Sequence, residues 1–154
     1  MKWKLPPKIK IYEALGCIAD DRIEINENEA KVFSSSRGKS YTITYDGRNS
    51  IMCNDNGSYW IGYLGYPSIA FLMLKGKIKY NSKFAEALKG IKWKDINVKF
   101  KNDHEKTEAY VLDFVKAKGH DVNEFLAEIS NINHQIKELN LEFLGNKTKP
   151  PTGY

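Results

Sequence analysis

One stretch sets the terms for the rest of the chain. Residues 63–74, YLGYPSIAFLML, carry no charge and too few polar groups to leave any side exposed. The run is shorter than the ~20 residues a bilayer helix needs, so it reads as a helix inside a core. A helix buried all round must be covered by other elements of the same chain. With 154 residues the chain can do this with one real core, or with two small ones packed together.

Periodicity supplies the covering elements. After Pro6-Pro7, KIKIYEALGCIADD places Ile11, Leu15 and Ile18 at helical spacing, with Tyr12 and Ala19 beside them. RIEIN and AKVFS alternate around the polar turn NENE. SYTITY follows SRGK, and Asp46-Gly47 turns the chain into SIMC. These segments predict an antiparallel meander. Beyond the apolar helix, closed by Gly76, SKFAEAL and WKDINVKF read as short helices. HEKTEAYVLDFVKAKG puts Tyr110, Val111, Phe114 and Val115 on one face, with Gly119 as its C-cap. A last helix opens at Asp121, and Phe125, Ile129, Ile132, Ile136, Leu139 and Phe143 follow coiled-coil spacing within residues 122–143. The fold class expected is α+β: an N-terminal helix, a small meander, an apolar helix, and a helical half ending in a helical hairpin. The division expected is 1–79 as an α+β unit, 80–144 as a helical region packed on it, and 145–154 as a disordered tail.

Residues 53–60, CNDNGSYW, admit two readings. Asn56-Gly57 suits a type I′ turn, so SIMCN and SYWIGY would pair as a hairpin. The wider context AKVFSSSRGKSYTITY, IMCND and GYPSIAFLML resembles the SWIM zinc-finger domain from about Ala30 to Leu74. Under that resemblance the first zinc ligand falls on Cys53, the second on Asp55, the third on Ser68 and the fourth on Ala70. One thiolate and one carboxylate do not close a tetrahedral zinc site. The resemblance therefore implies a knuckle that has lost its metal, with Tyr59, Trp60, Tyr63, Tyr66 and Phe71 closing it by ring packing. It also implies a module that binds nucleic acid or protein.

The chemistry of catalysis has no motif here. His104, His120 and His134 are not paired at ligand spacing, and no P-loop, dinucleotide fingerprint or Gly-x-Ser-x-Gly occurs. The expectation is a non-enzymatic protein without cofactor or metal. A net charge of +5 conceals a basic segment, because residues 75–101 hold nine lysines against Glu86 and Asp95. Lys75, Lys77, Lys79, Lys83, Lys92, Lys94, Lys99 and Lys101, with Trp93 among them, match a surface that neutralises phosphates and stacks bases. The leading expectation is a module that contacts nucleic acid non-specifically through this segment. The alternative is an adaptor that meets a protein partner, or a second copy, through Phe125, Ile129, Ile132, Ile136, Leu139 and Phe143. With two cysteines and no secretory apolar segment, a cytoplasmic location with no membrane partner is expected.

Overall fold

The structure is a computed structural model that describes residues 1–152. Its architecture is α+β. Helix α1 (Ile9–Ala19) leads into strands β1 (Ile23–Asn26), β2 (Glu29–Phe33), β3 (Ser40–Tyr45) and β4 (Ser50–Cys53). A single π turn (Gly57–Ile61) and helix α2 (Tyr66–Leu74) follow, then α3 (Ser82–Ala87) and α4 (Trp93–Lys99). Helices α5 (His104–Ala117) and α6 (Val122–Leu139) and the short strand β5 (Glu142–Phe143) complete the chain.

The sheet runs β1-β2-β3-β4-β5, antiparallel except for the parallel β4–β5 pair. Alternation works as period-2 patterning requires. Ala30 and Val32, Tyr41 and Ile43, and Ile51 bury one face, with Val32 opposite Tyr41 and Tyr45 opposite Ile51. Helix α2 lies on that face, where Phe71 meets the Tyr45 ring edge-on at 5.7 Å. Every residue of α2 from Pro67 to Met73 is buried, as its composition demanded. Gly76, at φ 77°, then ends it in the left-handed conformation that a side chain would oppose.

A second helix is almost as deep. In α1, Ile9 and Ile11 through Cys17 are buried, because α2, α3, α5 and α6 all pack around it. The ring of Phe125 on α6 touches Tyr12 of α1 at 5.3 Å and Phe84 of α3 at 5.7 Å. A continuous buried cluster therefore runs from Ile9 to Leu141 across the expected boundary at 79/80. The C-terminal seam is consumed in the same core: Phe125, Ile129, Ile132 and Ile136 are buried, and Leu139 is half-buried against them.

Three local expectations are corrected. Residues 57–61 form a helical turn, so no hairpin closes across Asn56-Gly57. Phe143 is not on the seam, since Asn140, at φ 49°, ends α6 and lets Phe143 join β5 and pack on Trp3 at 4.0 Å. On α5 the buried face is Thr107, Val111 and Val115, while Tyr110 is exposed. Of the expected disordered tail, residues 145–152 run irregularly, with Pro150 buried, and the last two residues lie outside the described residues.

Candidate functional site

The core helix α1 carries two charged side chains that its burial makes conspicuous. Lys10 and Glu13 face the same side one turn apart, and Lys10 Nζ lies 3.0 Å from Glu13 Oε2. Burial alone would lower the Lys10 pKa, but the Glu13 carboxylate and further anionic groups outweigh it, and the net direction is upward. Asn97 of α4 donates through Nδ2 to Glu13 Oε1 at 3.0 Å, which holds α4 over α1. The backbone N–H of Lys94 donates to Ser35 Oγ at 3.0 Å and ties the same helix to the β2–β3 loop.

Between these elements lies a cavity of about 510 Å³. Lys10, Glu13, Arg22, the 34–39 loop, Tyr41, residues 55–57, Tyr63, Tyr66 and the inner face of α4 enclose it. Two of its donors are unspent. Arg22, at the head of β1 and 2% exposed, donates through Nη1 to Phe33 O at 2.7 Å. Its Nε is buried without a hydrogen-bond partner, since Asp20 Oδ2 stands 3.9 Å away. The indole Nε1 of Trp93 is likewise buried and unpartnered. It presses on α1 at Gly16, where a Cβ would lie 2.7 Å from Nε1. Buried polar groups are nearly always paired, so two such donors on one cavity are informative.

The floor holds a carboxyl. Asp55 is buried and accepts from the Ser58 backbone N–H at 3.3 Å, from the Ser58 hydroxyl and from the Cys53 thiol. A Cβ at Gly65 would overlap this carboxyl, so glycine there permits the close approach of the backbone. Burial raises the Asp55 pKa, which favours the neutral acid. Burial also pushes the Tyr41 phenol up to about 12 and the Cys17 thiol up to about 11. Five basic side chains (Lys10, Arg22, Lys39, Lys94, Lys101) line the cavity against the two carboxyls of Glu13 and Asp55. The cavity is cationic and has phenol rings in its wall. It is suited to holding an anion.

The residues singled out for nucleic acid do not share one face. Lys75 Nζ reaches Glu27 O on the β1–β2 turn at 3.0 Å, and Lys83 pairs with Glu124 at the start of α6 at 3.6 Å. Lys79 is docked through its backbone on Gln135, Lys77 and Lys92 are exposed, and Lys99 sits over the Phe100 ring. Lys94 and Lys101 line the cavity. Trp93 is 3% exposed, so it offers no ring face to a base on the surface. Cys53, Ser68 and Ala70 are buried in the sheet and α2. Among the described residues no group of three or more His, Cys, Asp or Glu is placed to hold a metal ion.

Arg22, Lys10, Glu13, Tyr41 and Asn97 went unnoticed because they form no local motif. One signal was present: a Lys and a Glu at i, i+3 inside a helix whose other positions are apolar.

A family model described as Uncharacterised conserved protein UCP014422 matches residues 3–142, which include every residue of the cavity. The chain belongs to that family. No curated protein and no solved structure matches it.

Proposed function

We propose that this protein binds a small anionic ligand in the cavity between α1, the β2–β3 loop and α4. The observation that carries the reading is the charge of the cavity lining, five basic side chains against the carboxyls of Glu13 and Asp55. An oxyanion would offset that surplus of positive charge and accept charge-assisted hydrogen bonds from it. The groups that could begin a covalent step point the other way, since the Cys17 and Cys53 thiols and the Tyr41 phenol are all pushed up by burial. These shifts disfavour Cys17, Cys53 and Tyr41 as nucleophiles, in keeping with a binding role. No described helix is long and apolar enough to cross a membrane. The two free, buried cysteines support a reducing, cytoplasmic setting.

Thermal-shift titration with orthophosphate, pyrophosphate and citrate tests the reading. At least one of these anions should raise the melting temperature saturably, as a ligand that prefers the native state must. Arg22→Lys keeps the charge but removes the guanidinium fork, and should weaken that effect by roughly tenfold, the scale of one charge-assisted hydrogen bond. No saturable shift with any of the three, or an effect unchanged in Arg22→Lys, would overturn the assignment.

A further inference from the structure

The segment whose first residues wall the cavity ends on a surface of the opposite kind. The π turn holds Trp60 at 67% exposure and Ile61 at 55%, and Leu5 is 47% exposed on the segment paired beside it. A lone exposed apolar side chain needs no explanation, but an indole, an Ile and a Leu together mark a contact site. The expected closure of this region by ring packing holds only in part. Tyr59 braces Trp60 edge-on with centroids 4.7 Å apart, and the rest of the indole faces outward.

The tip is rigid. Tyr59 N donates to Asp55 O at 3.0 Å and Gly62 N to Gly57 O at 2.9 Å, with Gly62 at φ 88° ending the turn. Gly57 is required, because a Cβ there would overlap the Tyr63 ring. The N-terminal segment is laced to the same turn, as Lys4 N donates to Gly62 O and Leu64 N to Lys4 O.

Two lysines from opposite ends of the sequence converge on it. Lys147 Nζ donates to Tyr59 O at 3.2 Å, and Lys4 Nζ donates to Ile61 O at 3.3 Å. These are the carbonyls of the residues on either side of Trp60, so both ammoniums lie on the turn that carries the indole. Among the described residues neither ammonium has a carboxylate within 4.0 Å. One turn therefore presents two ammoniums and an exposed flat ring, a combination that suits a phosphate chain carrying an unpaired base.

We propose that this tip binds single-stranded nucleic acid, with Trp60 stacked on a base, Lys4 and Lys147 on the neighbouring phosphates, and Ile61 and Leu5 against the sugar. A single strand is required because a duplex keeps its base faces stacked, whereas an unpaired base presents one. Recognition of this kind has little sequence preference, since every base has a π face. The tip adjoins the cavity through residues 55–57 and Tyr63, while Trp60, Ile61, Leu5, Lys4 and Lys147 are not part of the cavity lining.

Fluorescence anisotropy of the full chain with a labelled dT15 oligonucleotide at 50 mM salt provides the test. The wild type should bind with a dissociation constant of roughly 10⁻⁴ to 10⁻⁶ M, with quenching of its tryptophan emission. Trp60→Ala should weaken binding by roughly 5- to 100-fold and remove most of the quench, because Trp60 is the exposed indole of the tip. Trp60→Phe, which keeps a ring, should retain most of the affinity. Trp60→Leu serves as the non-aromatic variant should alanine lower the melting temperature. Lys4→Ala with Lys147→Ala should reduce the log–log salt slope by about 1.4, two contacts at about 0.7 each for single strands. Equal affinity in the wild type, Trp60→Ala and Trp60→Leu would overturn the proposal. So would attachment to phosphatidylserine vesicles with no binding of dT15.

Discussion

Helix α1 is buried on two sides by two different chemistries. Toward α5 and α6, whose buried side chains include Val111, Val115, Phe125 and Ile129, it packs Tyr12 on the Phe125 ring, with Tyr12 OH donating to Glu108 Oε2 at 2.6 Å. Toward the β2–β3 loop and α4 it presents Lys10 and Glu13 to a cavity with unspent donors. The first side is close-packed and gains its stability from apolar area, about 1.5–3 kcal/mol for each large side chain fully buried. The second side leaves buried donors unpaired, a cost of about 1–3 kcal/mol each. The same helix thus separates a side packed for stability from the side on which we propose that a ligand binds.

Four measurements would break or sharpen this contrast. The largest effect belongs to the apolar side. Ile132 is fully buried, so Ile132→Asp places a charge among aliphatic side chains and should cost more than about 4 kcal/mol. Urea denaturation followed by circular dichroism should show loss of the whole fold, because α1 joins the two regions in one core. Selective melting of α5 and α6, with an intact sheet, would divide the molecule where the core appears continuous.

A smaller cost is expected under the cavity. Gly65→Ala drives a methyl into the Asp55 carboxyl and should destabilise by about 1–3 kcal/mol, the usual range for overpacking. Equal stability in the same denaturation assay would mean that the floor of the cavity is looser than its geometry.

The third test reads the protonation of that floor. Burial raises the Asp55 pKa above its ordinary 3.8, so the native state keeps a proton that the unfolded chain releases. The stability due to this group is complete below about pH 3.8 and is lost as pH rises through the raised native value. Asp55→Asn cannot titrate. Its stability relative to wild type should therefore increase with pH across that window, measured by urea midpoints from pH 4 upward. A constant difference, or one that shrinks with pH, would show that Asp55 is ionised in the native state.

The smallest effect concerns the thiols, which lie on either side of the polar region. Cys17 and Cys53 are free, buried and pushed up in pKa. Neither should react with Ellman's reagent at neutral pH on the timescale of the unfolded control, and unfolding without reductant should release both. Rapid reaction of Cys53 alone would place solvent behind the Asp55 floor.

Much of the architecture was legible because the signals are local. The charge-free run at 63–74, the alternation in 23–45, Gly76 and Gly119 as stops, and Asp121 as an N-cap each name an element from adjacent residues. Phe143 was misplaced because heptad spacing continues on paper past Asn140, whereas the left-handed backbone there redirects the chain into β5. Trp93 was assigned to the surface because its neighbours are lysines. Tertiary packing decided otherwise, and Gly16, far away in sequence, makes the room that takes the indole.

The sequence by itself determined that this chain forms an α+β protein built round an apolar helix, because hydrophobic period and turn chemistry are properties of a few consecutive residues. Only the tertiary structure decided where charge and unspent donors meet. Arg22, Trp93 and Lys10 are brought to one cavity by chain reversals, and Lys4 and Lys147 reach the carbonyls beside Trp60 from opposite ends of the sequence. A helix or strand is specified within a dozen residues. A site made of single side chains from distant elements has no spacing to read, and exists only once the core has packed them together.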